Sequence, residues 1–156
     1  MREFIVVSVL RQPVWLPFIQ SLVPAGFPSP ALDHESAALD LNALLLPHPD
    51  ATYLIRCFGD SMMGGEDGIR SGSLLAVDCT LKPQSNDVVI ASLDGMDYTL
   101  KRLIQRPDQS WWLVPDNPTY MAVPIDSPDV FTVWGVVTHI VNETRPGKLG
   151  QHVRAR

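Results

Sequence analysis

Prolines limit this chain more than any other feature. Fourteen stand among its 156 residues, close to twice the roughly 5% of an ordinary protein. Each one inside a helix removes a backbone donor and clashes with the preceding turn, at a cost of about 3 kcal/mol. Long helices are therefore excluded as the main architecture, which leaves short strands joined by turns and an extended segment. Five of the prolines, Pro13, Pro17, Pro24, Pro28 and Pro30, fall within residues 1–39. No period of 2 or 3.6 runs through that stretch, so it reads as an extended arm rather than an independent domain. A core is still within reach, because 46% of the residues are hydrophobic and only 19% charged, outside the range of disordered polymers.

The strand signals lie in residues 40–141. Tyr53 to Phe58, Leu74 to Val77, Asp87 to Leu93, Tyr98 to Leu103, Trp111 to Val114 and Val130 to Val141 are β-branched and aromatic runs separated by turn residues. Asp94-Gly95 marks a hairpin between the third and fourth of them. Leu39 to Leu46 is the one short helix that the pattern predicts, stopped by Pro47. With no βαβ rhythm, the expected fold is mostly β, a compact sheet or barrel-like sandwich. Residues 142–156, with Arg145, Lys148, Arg154 and Arg156, form a basic tail that is expected to be solvated.

Twelve Lys and Arg against 17 Asp and Glu give a net charge of −5, the wrong sign for a protein that coats nucleic acid through its own surface. Cys57 and Cys79 fit no zinc spacing and make no disulfide framework, so no metal or other cofactor is expected, and the thiols suit a reducing compartment. The apolar run Phe4 to Leu10 is far shorter than the ~20 residues that span a bilayer. The expectation is a cytoplasmic chain without a membrane anchor.

Ser61 follows Gly59-Asp60 at the end of the first strand run and precedes the glycine-rich Met63 to Gly68. A serine there is placed to be an exposed nucleophile. The segment is not the hydrolase elbow, because Met63 replaces the second glycine of G-x-S-x-G, nor a phosphate loop, since no Gly-Lys-Ser/Thr follows. A serine nucleophile needs a base. His34, His48, His139 and His152 are available, yet none stands out: His34, His48 and His152 fall in polar, proline-flanked or tail segments, and His139 suits a satisfied structural ring. The alternative is a lysine made neutral by burial. Of Lys82, Lys101 and Lys148, only Lys101 sits inside an apolar strand, alternating with Leu103 while Arg102 points to the other face. Taken by itself it also suits a solvent-facing strand position. In the arm, Ala25-Gly26 is a pair of small residues among Pro24, Phe27, Pro28 and Pro30. It is either a turn or an extended segment open to attack at its carbonyl, and tethering would give such a segment a high effective concentration.

These pieces occur together and in order: Ala25-Gly26-Phe27-Pro28-Ser29-Pro30, Leu39 to Asn42, His48-Pro49, Gly59-Asp60-Ser61-Met62, Thr99-Leu100-Lys101-Arg102-Leu103 and Phe131 to Val137. The ordered set resembles the UmuD-type SOS mutagenesis proteins, within the LexA/UmuD class of self-cleaving Ser-Lys proteases. The resemblance implies a compact β-fold protease domain with an N-terminal arm. It assigns Ser61 as nucleophile, Lys101 as general base and Ala25-Gly26 as the bond cut. It also implies stimulation by a RecA filament on single-stranded DNA, a homodimer, and a processed form that serves a UmuC-like error-prone polymerase in translesion synthesis. No sequence-specific DNA binding is expected. The segment Met63 to Ile69 is longer than the family's, and Ser71-Gly72-Ser73 stands where the family carries acidic residues.

Two other readings differ in class. A LexA-type or phage-type repressor needs a helix-turn-helix unit, for which the 24 residues before Ala25 are too few. A non-catalytic polymerase-binding module would not need Ser61, Lys101 and the Ala-Gly bond intact.

Overall fold

The structure is a computed structural model and describes residues 13–18, 37–127, 129–145 and 147. They fall into two compact units, each treated by itself.

The smaller unit holds a two-stranded antiparallel ladder. β1 (Trp15–Phe18) pairs with β2 (Ala37–Asp40), Trp15 opposite Asp40 and Phe18 opposite Ala37. The proline-rich arm carried no strand signal, yet Pro17 pairs with Ala38. In a two-stranded ladder both strands are edges, where a missing N–H is tolerated. α1 (Leu41–Leu45) follows directly. It starts two residues after the expected Leu39, because Leu39 and Asp40 remain extended as partners of Leu16 and Trp15. Asp40 then caps the helix, its carboxylate accepting the Asn42 N–H at 3.0 Å.

The larger unit is built on seven strands: β3 (Thr52–Arg56), β4 (Leu74–Asp78), β5 (Val88–Ser92), β6 (Tyr98–Gln105), β7 (Trp111–Val114), β8 (Val123–Pro124) and β9 (Thr132–Val141). They form one sheet in the order β3-β4-β9-β5-β6-β7-β8, every pair antiparallel. The long β9 joins two halves, pairing with β4 through Val136 to Val141 and with β5 through Thr132 to Val136. Register shifts at Ala76/Val77 and Ile90/Ala91 flank this crossing, and such bulges bend and twist a sheet. The mostly-β expectation holds. β8 had no signal, since Val123-Pro124 is only two residues long.

Two apolar clusters cover the sheet. Val89, Ala91, Leu103, Leu113 and Val136 form one; Met62, Ile69 and Val88 form the other, with Cys57, Leu100, Val137 and Ile140 against it. Neighbours Val88 and Val89, and likewise Val136 and Val137, fall in different clusters. Side chains alternate along a strand, so β5 and β9 are buried on both faces. Full burial of such a side chain contributes about 1.5–3 kcal/mol. Among the described residues no helix is long and apolar enough to cross a membrane.

Candidate active site

The chain leaves β3 through Cys57, whose N–H donates to the Ser73 carbonyl at 2.8 Å while its own carbonyl accepts the Gly72 N–H at 2.9 Å. Gly59 then turns with φ +98°, a region L side chains rarely enter. Met63 N–H closes a turn on the Asp60 carbonyl at 3.0 Å, so Ser61 rides at its bend. Met62, 2% exposed, plugs the next position into the second apolar cluster. The sequence Gly-Asp-Ser-Met thus combines a flexible exit, a turn and an apolar anchor, and holds the serine between them.

A second segment grips this turn. Asn117 donates its backbone N–H to the Ser61 carbonyl and its side-chain amide to the Asp60 carbonyl, both at 3.0 Å. The Tyr120 hydroxyl donates to the Asp60 carboxylate, and that hydrogen-bonded carboxylate pushes the phenol above its usual pKa. At its far end the loop meets Asn142, which donates to the Gly68 carbonyl at 3.0 Å and accepts from the buried Ser73 hydroxyl at 2.5 Å.

Lys101 arrives from β6. Its Nζ lies 3.0 Å from Ser61 Oγ, 2.9 Å from Thr99 Oγ1 and 3.0 Å from the Leu100 carbonyl. Burial lowers its pKa below that of an ordinary lysine, with the nearby Cys57 pulling the other way. The Cys57 thiol is itself raised by burial, partly offset by Lys101. A neutral amine has two N–H groups and one lone pair. The Leu100 carbonyl can only accept, and Thr99 can accept the second N–H. That leaves the lone pair for the Ser61 hydroxyl proton, the arrangement general-base chemistry requires.

No histidine hydrogen-bonds Ser61 among the described residues. His48 Nδ1 pairs instead with Asp78 Oδ2 at 2.6 Å, and His139 Nδ1 lies 3.1 Å from the Thr138 hydroxyl, as a satisfied strand histidine would. His34, His152, Ala25 and Gly26 lie outside the described residues. Among those described, no cluster of His, Cys, Asp or Glu could hold a metal ion.

The sequence brought Ser61 and Lys101 forward but missed the residues that aim them. Thr99 had a readable signal, since positions two apart on a strand share a face. Asn117 and Tyr120 had none, because their role depends on where the segment after β7 lands.

The family described as Peptidase S24-like matches residues 17–138 of the chain. Protein ImpA of Salmonella typhimurium is 40% identical over 129 residues, which cover 83% of this chain and 85% of that protein. Protein SamA of Salmonella typhimurium strain LT2 is 43% identical over 129 residues, 83% of this chain and 86% of that protein. Protein MucA of Escherichia coli is 40% identical over 131 residues, 82% of this chain and 85% of that protein.

Proposed function

The chain belongs to the Peptidase S24-like family and is of the UmuD type, and from this premise we propose that it is a serine endopeptidase that cuts its own Ala25-Gly26 bond. The observation that supports this most is the 3.0 Å approach of Lys101 Nζ to Ser61 Oγ in a site that lowers the lysine's pKa. In this reading the neutral Lys101 amine takes the hydroxyl proton as Ser61 Oγ bonds to the Ala25 carbonyl carbon. The resulting oxyanion faces backbone donors. The Ser61 N–H, which makes no hydrogen bond among the described residues, is the donor we assign. Lys101, now an ammonium, returns the proton to the Gly26 nitrogen as the peptide bond breaks. Water, losing a proton to the same amine, then hydrolyses the Ala25 ester and frees Ser61.

The arm of residues 1–39, cut within the chain or between the partners of a dimer, meets the site at high effective concentration, so modest equipment suffices. The β domain of residues 40–141 carries the dyad, and Asn142, where the basic tail of residues 142–156 begins, holds the far end of the loop that follows Ser61. The processed chain from Gly26 onward, as a cytoplasmic homodimer, serves as accessory subunit of a UmuC-like polymerase in SOS translesion synthesis, with cleavage stimulated by a RecA filament on single-stranded DNA. The net charge of −5 suits a protein that reaches DNA through such partners. Capture of a UmuC-like polymerase by the Gly26 product and by the uncut Ser61→Ala chain tests the maturation step. The product should retain more polymerase; equal or weaker capture contradicts it.

A further inference from the structure

Arg102 follows Lys101 on β6, and every arm of its guanidinium is engaged. Nε donates to Asp116 Oδ1 at 2.9 Å and Nη2 to Asp116 Oδ2 at 2.7 Å, a two-point fork. Nη2 also donates to Asp67 Oδ2 at 2.5 Å, and Nη1 to the Asn86 carbonyl at 2.9 Å. The side chains of Arg102 and Asp116 are only 15% and 9% exposed. Desolvating such a group is expensive, and apolar packing of the same volume is often as stable. Stability is therefore a weak account of why it is there.

What the guanidinium joins is informative. Asp67 lies in the loop that begins at Ser61 and is pinned by Met62 and Ile69. Asp116 immediately precedes Asn117, which holds the Ser61 and Asp60 carbonyls. Arg102 itself is the neighbour of Lys101. One cation thus ties both segments that grip Ser61 to the strand that supplies its partner. The fit is close: a Cβ on Gly65 would lie 2.1 Å from Asp116 Oδ2 and 2.8 Å from Asp116 Cβ.

We propose that Arg102 is a positioning residue of the Ser61–Lys101 pair, setting through Asp67 and Asp116 the placement against β6 of the loop that bears Ser61 and of the Asn117 segment that holds it. Its guanidinium hydrogen-bonds Asp116, Asp67 and the Asn86 carbonyl rather than Ser61 or the Lys101 amine; it fixes where Oγ stands relative to Nζ. The proposal deepens the self-cleavage reading and rests on it. A planar fork fixes both distance and direction, which an ammonium does not, and a misplacement of about 1 Å can slow a reaction by roughly 100-fold.

The test measures self-cleavage of the full chain against pH, at a temperature where circular dichroism shows each variant folded. Cutting by the wild-type chain and silence of Ser61→Ala test the underlying reading; an inert wild-type chain overturns that reading itself. Given wild-type cutting, Arg102→Ala lowers the alkaline plateau rate by ~10- to 100-fold. Arg102→Lys, which keeps the charge, leaves the midpoint of the pH profile in place but recovers little of the plateau. A folded Arg102→Ala chain that cuts at the wild-type rate overturns the proposal. So does an Arg102→Lys profile with a wild-type plateau and a moved midpoint, since Arg102 would then act through charge. Should Arg102→Ala not fold, Asp67→Asn and Gly65→Ala decide, because both keep the guanidinium. Slowed cutting in both supports the proposal, and wild-type rates in either overturn it.

Discussion

Thr99 Oγ1 lies 2.9 Å from Lys101 Nζ, two residues away along β6. In the proposed mechanism it accepts one of the two N–H groups of the neutral amine and so leaves the lone pair for Ser61. Thr99→Val keeps the shape and removes that acceptor. A hydrogen bond of this kind is worth about 1 kcal/mol, so self-cleavage should slow roughly fivefold while Thr99→Ser stays near wild type. Timed cleavage on gels measures both, and equal rates for valine and serine would show that the hydroxyl has no part in aiming the lysine.

Burial depresses the Lys101 pKa, so the amine fraction, and with it the cleavage rate, should climb as pH rises through that lowered value, below the ~10.4 of a free lysine. Lys101→Arg should be inactive throughout, because a guanidinium keeps its proton. A flat rate between neutral and alkaline pH would contradict a lysine base.

The same shift bears on stability. The unfolded chain binds the Lys101 proton more tightly than the folded one, so stability rises with pH across the window between the lowered value and ~10.4. In a Ser61→Ala background that prevents cutting, adding Lys101→Met should shift the thermal midpoint most favourably near neutral pH. Calorimetry should show that relative gain shrinking as pH approaches 10.4, and a gain that grows with pH would reverse the sign.

Asp78 has the opposite dependence. Burial works to raise its carboxyl pKa, but hydrogen bonds from Thr80 and His48 prevail and hold it below the usual carboxylate range. Stabilisation from a depressed carboxyl is present above its unfolded pKa of ~3.9 and lost as pH falls through the folded value. Asp78→Asn should cost about 1.5–3 kcal/mol at pH 7, because Thr80 and the half-exposed His48 lose hydrogen bonds to a charged, buried acceptor. Urea denaturation in the Ser61→Ala background should show the gap closing below about pH 4; an undiminished gap there would rule out the carboxylate as its source.

What was legible in the sequence follows from whether the signal is local. β4, β5, β6, β7 and β9 fall on the expected runs to within one or two residues, because hydrophobic alternation and turn residues are written in the segment itself. Lys101 stood out as the one lysine inside an apolar strand, but its pairing with Ser61 was carried by the resemblance to the UmuD-type proteins, because the strand alone also suits a solvent-facing lysine. β1 was illegible, since Pro17 argues against a strand and only its pairing with Ala38 makes one. Arg102, Asp116 and Asn117 were equally hidden. An arginine beside a lysine reads as surface charge until two distant loops bring Asp67 and Asp116 to it. Such contacts come from the sheet order, which no single segment records.

The central claim is that Ser61 and Lys101 cut the bond after Ala25. The most direct measurement incubates the purified chain at alkaline pH and sequences the N-terminus of any fragment. The account predicts a product beginning at Gly26, absent from Ser61→Ala and from Lys101→Ala. The same product from the Ser61→Ala chain would contradict it.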